Sequence, residues 1–222
     1  MNDQTALKLE KATKFYHRGT ETVHAVDNIS LAIENGDYCT IVGPSGSGKT
    51  TLMNLMGCLD HPTSGKVWVN GKEIERADEK VLTRMRQTSI GFVFQQFFLI
   101  PTLTVLENVQ LPSLFARKAA TEHAKELLTL VGLANRLDHL PGQLSGGEMQ
   151  RVAIARSLVN SPPIVLADEP TGNLDSRNAE MIMGLFDKLH ESGMTIVVVT
   201  HNEHLAGKGG KTIAIEDGKI TN

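Results

Sequence analysis

Gly43-Pro44-Ser45-Gly46-Ser47-Gly48-Lys49-Thr50 matches the pattern G-x-x-x-x-G-K-[ST], in which glycines let the backbone wrap closely enough for its N–H groups to face an anion. The apolar run Tyr38 to Val42 precedes the loop, and a helix is predicted after it, from Thr50 to Leu59. The positive end of that helix would face the same anion. In such a loop Lys49 reaches the outer phosphates of a nucleotide as a point charge, and the Thr50 hydroxyl ligates Mg2+. A glycine- and serine-rich turn can match the pattern by chance, but a strand before it and a helix after it are the flanks the chemistry requires.

Two further segments carry charge to a strand end. Ile164-Val165-Leu166-Ala167 is an apolar strand that runs into Asp168 and Glu169. There Asp168 can hold Mg2+ directly or through water, and Glu169 can orient or deprotonate an attacking water. Alone, the pair reads equally as two surface acids; with Lys49 in the same chain the chemical reading gains weight. His201 ends the β-branched run Thr195 to Thr200 and is either structural or a hydrogen-bond donor to a phosphate. Leu144-Ser145-Gly146-Gly147-Glu148-Met149-Gln150 reads as a helix start, with Ser145 as N-cap and Glu148 closing a capping box. A capped N-terminus with two glycines is also an anion site.

The elements that must position these residues alternate along the chain. Leu7 to Thr13 reads as an exposed strand, Val26 to Ile33 likewise, and Asn35-Gly36 as a turn. Lys66 to Val69 with Asn70-Gly71 reads as half a hairpin, Ile90 to Phe94 as a strand, and Leu103 to Leu140 as an insert of short helices. After it come a helix from Glu148 to Val159, the strand before Asp168, a helix from Ala179 to Glu191, the strand Thr195 to Thr200, and a closing hairpin around Asp217-Gly218. Strands alternating with helices predict an α/β fold, a mostly parallel sheet covered on both faces. Such sheets bind ligands at the carboxyl ends of their strands, here just after Val42, Ala167 and Thr200. The 222 residues suit one domain or a domain with a small subdomain. A net charge of −3 gives no reason to expect nucleic-acid binding. Cys39 and Cys58, both in apolar surroundings, read as buried thiols of a cytosolic protein rather than a disulfide. Met1 to Glu10 has no signal-peptide core. The longest apolar stretch, Ile90 to Pro101, is too short to span a membrane and is broken by Gln95 and Gln96, so the chain is expected in the cytoplasm.

Taken together the motifs resemble those of the nucleotide-binding subunits of ABC transporters, over essentially the whole length. Gly43 to Thr50 is Walker A-like, Ile164 to Glu169 is Walker B-like, and Leu144 to Gln150 is similar to the ABC signature, which separates this family from other P-loop NTPases. The resemblance implies a P-loop NTPase core with a mostly parallel sheet, an antiparallel β subdomain and a helical insert. Residues 1–222 form a single domain on this reading, with a helical subdomain at about 103–160. It implies ATP and Mg2+ as ligands. Gly43, Pro44, Ser45, Gly46, Ser47, Gly48, Lys49, Thr50 and Thr51 would hold the phosphates. Tyr16 would stack on adenine, with Phe15 as the core residue beside it. Thr50, Gln95 and Asp168 would hold the metal, and Glu169, His201, Gln95 and Lys49 would act in catalysis. Gln96 adjoins Gln95, and the pattern Phe-Gln favours Gln95. Asn173-Leu174-Asp175 is similar to the D-loop, so Asp175 joins Ser145, Gly146, Gly147 and Glu148 on the side of the nucleotide that a second copy supplies. The resemblance therefore implies a head-to-tail homodimer with two composite sites.

Ala167 to Asp175 (ADEPTGNLD), with Leu52 to Asp60 and Pro62-Thr63-Ser64-Gly65, narrows the resemblance to a subgroup that includes the lipoprotein-releasing LolD, the macrolide and peptide exporter MacB and the division-associated FtsE. That subgroup implies a mechanotransmission permease of the MacB or LolCE type; in MacB the ATPase is fused to it, and as this sequence shows no such segment a separate permease subunit is expected. The subgroup places the chain on the cytoplasmic face of the inner membrane, with membrane contact only through the permease and no nucleic-acid partner. The alternatives are an FtsE-like regulator of cell-wall hydrolases and a soluble ABC ATPase. The latter usually carries a coiled coil or a second ATPase, neither of which is seen in this sequence. Phe97 to Pro101 reads either as core of the insert or as the floor of a groove for the permease. Asn202-Glu203 departs from the subgroup's Asp after the histidine, and Gly207 to Lys211 is expected to form a loose, glycine-rich turn.

Overall fold

The computed structural model describes residues 4–74, 77–202, 207 and 210–221. Strands β1 (Thr5–Arg18) and β2 (Glu21–Glu34) form a long, bulged antiparallel pair. With β4 (Ser64–Val69) and β5 (Lys72–Glu73) they make a four-stranded sheet in the order β2-β1-β4-β5. The expected exposed strand over Leu7 to Thr13 is exposed on one face only. Leu7, Leu9 and Ala12 are at most 1% exposed, whereas Glu10 and Lys11 are exposed; a bulge shifts the register between Leu9 and Ala12, so that Ala12 returns to the buried face.

The second sheet has six strands in the order β10-β9-β3-β8-β7-β6. Its members are β3 (Tyr38–Val42), β6 (Ile90–Phe94), β7 (Ile164–Asp168), β8 (Thr195–Thr200), β9 (Lys211–Glu216) and β10 (Lys219–Ile220). β3 pairs in parallel with β8 and β9, β7 with β6 and β8, and only β10 runs antiparallel, as the end of a hairpin. The sheet is buried on both sides, and the alternation of its strands divides the interior. Ile164, Leu166, Val197 and Val199 face one core, while Val165, Ala167, Ile196 and Val198 face the other.

Helix α1 (Lys49–Met56) fills the first core between the two sheets, with Leu52, Met53, Leu55 and Met56 all fully buried. Helices α3 (Val105–Phe115), α4 (Thr121–Leu130), α5 (Gly146–Leu158) and α6 (Ser176–Glu191) build the second. Helix α2 (Glu79–Thr88), capped by Asp78, was not foreseen. It buries only Leu82 and Met85, too few apolar positions for a period to show. A Thr104–Glu107 capping box starts α3, and the buried Asn108 ties the preceding loop to it through the backbone of Ile100 and the carbonyls of Leu103 and Thr104. Cys39 and Cys58 are buried and unpaired; burial pushes their thiols up to about 12 and about 11, which leaves them unreactive. Among the described residues no helix is long and apolar enough to cross a membrane.

Candidate active site

The parallel register Val42↔Thr200 and Val42↔Ala214 places the end of β3 between two neighbours, so the loop that follows leaves at the carboxyl edge of the sheet. Two of its glycines are there for lack of space. A Cβ on Gly43 would sit 2.1 Å from the Ile215 carbonyl oxygen, and one on Gly48 1.9 Å from that of Ala25. Gly48 also has φ +99°, a left-handed conformation open to glycine. α1 then begins at Gly48 with no side-chain cap and no acidic residue in its first turn, which leaves its first N–H groups for an anion. Lys49 is 7% exposed, and its Nζ donates to the carbonyls of Gly43 and Pro44, both at 2.8 Å. Burial lowers the pKa of this ammonium, and the charges of Glu169 and Asp168 oppose the shift.

β7 brings Asp168 beside this loop. Thr50 Oγ1 donates to Asp168 Oδ2 at 3.2 Å. Burial raises the Asp168 carboxyl, the Thr50 hydrogen bond opposes it, and Glu169 adds to the rise. Glu169 has φ +47°, and this left-handed step swings its side chain toward the end of β8. Its Oε2 accepts from Thr200 Oγ1 at 3.0 Å, and its Oε1 from the His201 backbone N–H at 2.8 Å. His201 Nδ1 lies 2.7 Å from that same oxygen. Three hydrogen bonds thus fix the plane of the carboxylate. Gln95, one residue past β6, lines the same cavity; Gln96 is not among its walls. Gln95 and Asn173 are joined twice, Nε2 to Oδ1 at 3.3 Å and Asn173 Nδ2 to the Gln95 carbonyl at 3.1 Å.

These groups surround a cavity of about 830 Å³ lined by Pro44, Ser45, Gly46, Gly48, Lys49, Thr50, Thr51, Gln95, Asp168, Glu169 and His201. Its size and backbone donors suit a nucleotide. Thr50, Asp168 and Gln95 offer the hard oxygen donors that Mg2+ takes. The opposite wall, Val23, His24, Ala25 and Asp217, escaped the reading of the sequence. Asp217 had a signal: it sits in the turn after a strand parallel to β3, hence at the ligand edge. Val23 to Ala25 had none, since the other sheet supplies them. Gly43 and Ser47 lie behind the walls, Ser47 at 3% exposure. Tyr16, 38% exposed, does not line the cavity but pairs with Val23 of β2, which does. Phe15 is not core: it is half-buried, with its ring against His17 and His24.

Ser145, Gly146, Gly147, Glu148 and Asp175 are gathered elsewhere in the chain, at the starts of α5 and α6. Ser145 Oγ accepts from the Glu148 N–H at 3.3 Å, and Glu148 Oε2 accepts from the N–H and Oγ of Ser145 at 2.8 Å each. Asp175 caps α6 through Asn178, whose Oδ1 would lie 2.2 Å from a Cβ on Gly147. The two helix starts are thus pressed together at Gly147, while nothing comes within 3.7 Å of a Cβ on Gly146. Gln150 links this cluster to the strand ends, donating to the Pro170 carbonyl at 2.7 Å.

The run Phe97 to Pro101 is split between core and surface, with Phe98, Ile100 and Pro101 exposed. Leu99 packs on the core of the helical layer, Phe98 is 60% exposed, and Arg156 clamps the carbonyls of Phe97 and Phe98. A second cavity of about 510 Å³ lies beside it, walled by Phe92, Phe94, Leu111, Pro112 and Phe115 among others. The segment after His201 falls largely on residues 203–206 and 208–209, outside the described residues.

The sequence profile of the ABC transporter family matches residues 26–172. An uncharacterized ABC transporter ATP-binding protein of Thermotoga maritima is 51% identical over 217 residues, covering 96% of this chain and 93% of the relative. The macrolide export ATP-binding/permease protein MacB of Hyphomonas neptunium is 44% identical, but this chain spans only 34% of its length. The dimeric structure of the ABC transporter cassette MJ0796, a protein of Methanocaldococcus jannaschii, superimposes with a TM-score of 0.91 at 47% identity, over 97% of both chains. A post-hydrolysis structure of the same cassette, bound to ADP and Pi, gives the same values. The chain belongs to the ABC transporter family, as one of its ATP-binding, ATP-hydrolysing subunits.

Proposed function

We propose that two copies of this subunit close head to tail around two ATP molecules and that the closure drives separate transmembrane permease subunits of the MacB or LolCE type. The observation that carries the dimer is the separation of two anion-binding helix starts in one chain. That of α1 faces the cavity, whereas that of α5, with Ser145, Gly146 and Gly147, lies outside its walls. In this reading Ser145 to Gly147 of one copy complete the cavity of the other, and Asp175 runs along the seam between them. The dimeric state of the MJ0796 cassette supports it.

Within each site, the N–H groups of Ser45, Gly46 and Gly48 to Thr51, with the Lys49 ammonium, bind the phosphates. To do so Lys49 leaves the Gly43 and Pro44 carbonyls. Thr50, Asp168 and Gln95 would hold Mg2+, which when bound would neutralise charge on the transferred group. Glu169, its plane already fixed by Thr200 and His201, orients the attacking water and takes up its proton. His201 presents its second ring nitrogen to the terminal phosphate. Residues of about 103–160 act as a helical subdomain, and the cavity walled by Phe92, Leu111 and Phe115 receives a cytoplasmic helix of the permease. In MacB the ATP-binding and permease functions share one name; here we assign the second to a separate chain. On this reading the complex exports macrolides or peptides or releases lipoproteins, with the subunit held at the cytoplasmic face of the membrane by its permease alone.

Glu169→Gln tests the reading. With ATP the variant is expected to elute from gel filtration at twice its mass, and to bind ATP while failing to turn it over. A Glu169→Gln protein that stays monomeric at saturating ATP removes the dimer, and one with full activity removes the role of Glu169.

A further inference from the structure

Tyr16 lies between two residues of the cavity wall. Its register partner on β2 is Val23, and its hydroxyl contacts Thr51. Three groups hold it there. The hydroxyl donates to Asp60 Oδ2 at 2.8 Å. Lys14 Nζ stands 5.2 Å from the ring centroid, so a cation covers one face. Lys14 is itself fixed, 2.6 Å from Asp60 Oδ1 and 2.9 Å from the His61 carbonyl, and the His61 N–H donates to that same Oδ1 at 2.7 Å. Burial pushes the Asp60 carboxyl up, but the hydrogen bonds from Lys14, Tyr16 and His61 together hold it below its usual value. Asp60 therefore accepts from three donors as a carboxylate.

The position of Asp60 gives this network its reach. Tyr16 and Lys14 are on β1, in the four-stranded sheet, whereas the phosphate loop leaves the six-stranded one. Asp60 follows α1, with its N–H bonded back to the Asn54 carbonyl at 3.3 Å. The segment that begins at the phosphate loop with α1 thus leads, just past the helix end, to the group that anchors the ring.

We propose that Lys14 and Asp60 are positioning residues that hold Tyr16 as a one-sided platform for the nucleotide base, in register with the phosphate loop. This rests on the reading of Tyr16 as the base-stacking residue. An unanchored tyrosine on a strand surface must lose rotamer freedom when a base binds; an anchored one has lost it already. With Lys14 on one face, the ring has a single face left to offer.

Calorimetry on the full chain with Mg-ADP and with Mg-pyrophosphate separates the base from the phosphates. Asp60→Ala and Lys14→Met are expected to weaken ADP binding about three- to tenfold while changing pyrophosphate binding less than about twofold. Tyr16→Phe keeps the ring, loses its anchor, and is expected to show part of the same loss; with Lys14→Met it carries the test if Asp60→Ala does not fold. Equal weakening of both ligands, or unchanged ADP binding, overturns the positioning role. Tyr16→Ala separates the two readings. If it leaves the ADP-to-pyrophosphate ratio unchanged, the platform itself falls; if it shifts the ratio while Asp60→Ala and Lys14→Met do not, only the positioning role falls.

Discussion

Two helix N-termini in this chain, those of α1 and α5, are both built on glycine, and they are left in opposite states. α1 starts at Gly48 with no side-chain cap, so its N–H groups are unspent. α5 starts at Ser145 with a complete capping box, and its first turn carries a carboxylate, Glu148, that is also 3.3 Å from Arg136. An anion arriving at α1 meets free donors and Lys49. One arriving at α5 meets a helix end whose dipole is partly neutralised by its own glutamate. On the proposed reading, the first half-site binds phosphate alone, and the second adds enough to matter only when another surface already holds the anion. A weak second half would then make association conditional on the ligand, as a switch requires.

The sharpest way to break this contrast is Ser145→Arg. It puts a bulky cation where the second half-site must meet its partner. Hydrolysis is expected to fall about a thousandfold, equivalent to about 4 kcal/mol of transition-state stabilisation. Nucleotide affinity of the single chain should stay within about twofold, because α1 is untouched. Steady-state ATPase rates set against calorimetric ADP affinity decide the matter; loss of both together would mean that α5 belongs to its own chain's site.

Glycine substitutions probe the same difference in stability. Gly48→Ala meets the Ala25 carbonyl at 1.9 Å in a left-handed conformation, and a loss of about 3 kcal/mol or more is expected. Gly146→Ala meets nothing within 3.7 Å and should change stability by less than about 1 kcal/mol, in the stabilising direction if at all, since alanine is the better helix former. Urea unfolding of the two variants compares them directly.

The contrast also explains what could be read from the sequence. The α1 half-site was legible because local order carries it: an apolar strand, a patterned loop and a helix follow one another in the chain. The same holds for β7 with Asp168, and for the Ser145–Glu148 box, which spans three residues. Val23 to Ala25 were not legible as a cavity wall, because a different sheet brings them there and nothing in their own pattern says so. Phe97 to Pro101 could not be resolved for the same reason. Five apolar residues in a row fit either a core or a surface to be covered, and only the distant Arg156, which holds the Phe97 and Phe98 carbonyls, sets Leu99 on the helical core while Phe98, Ile100 and Pro101 stay exposed.

Gly147→Ala sharpens the second region from within. Its Cβ would lie 2.2 Å from Asn178 Oδ1, and Asn178 is the residue through which Asp175 caps α6. The side chain can move, but its Nδ2 bond to Asp175 Oδ2 is then lost while the backbone cap stays, so a cost of about 1 kcal/mol is expected. Thermal unfolding measures it, and a double variant with Asn178→Ala should recover part of it. Additive losses would show that the two helix starts are not coupled through this contact.

The smallest effect concerns the charge that weakens the second half-site. The Ser145 N–H, then the Ser145 hydroxyl and Arg136, hold the Glu148 carboxyl below its usual value. A carboxylate whose folded pKa lies below its unfolded one contributes stability above the unfolded value, near 4.3, and loses it as the pH falls through the folded one. Glu148→Gln lacks that contribution. The variant should be less stable than the wild type by about half a kcal/mol at pH 7, a small figure because the group is exposed to solvent. The gap should close as the pH falls toward 3. The same substitution removes the negative charge from the start of α5, so phosphate should bind there more readily. A urea midpoint gap that persists at pH 3 would place the loss in the hydrogen bonds rather than in the charge, and the capping glutamate would then not be what keeps the second half-site weak.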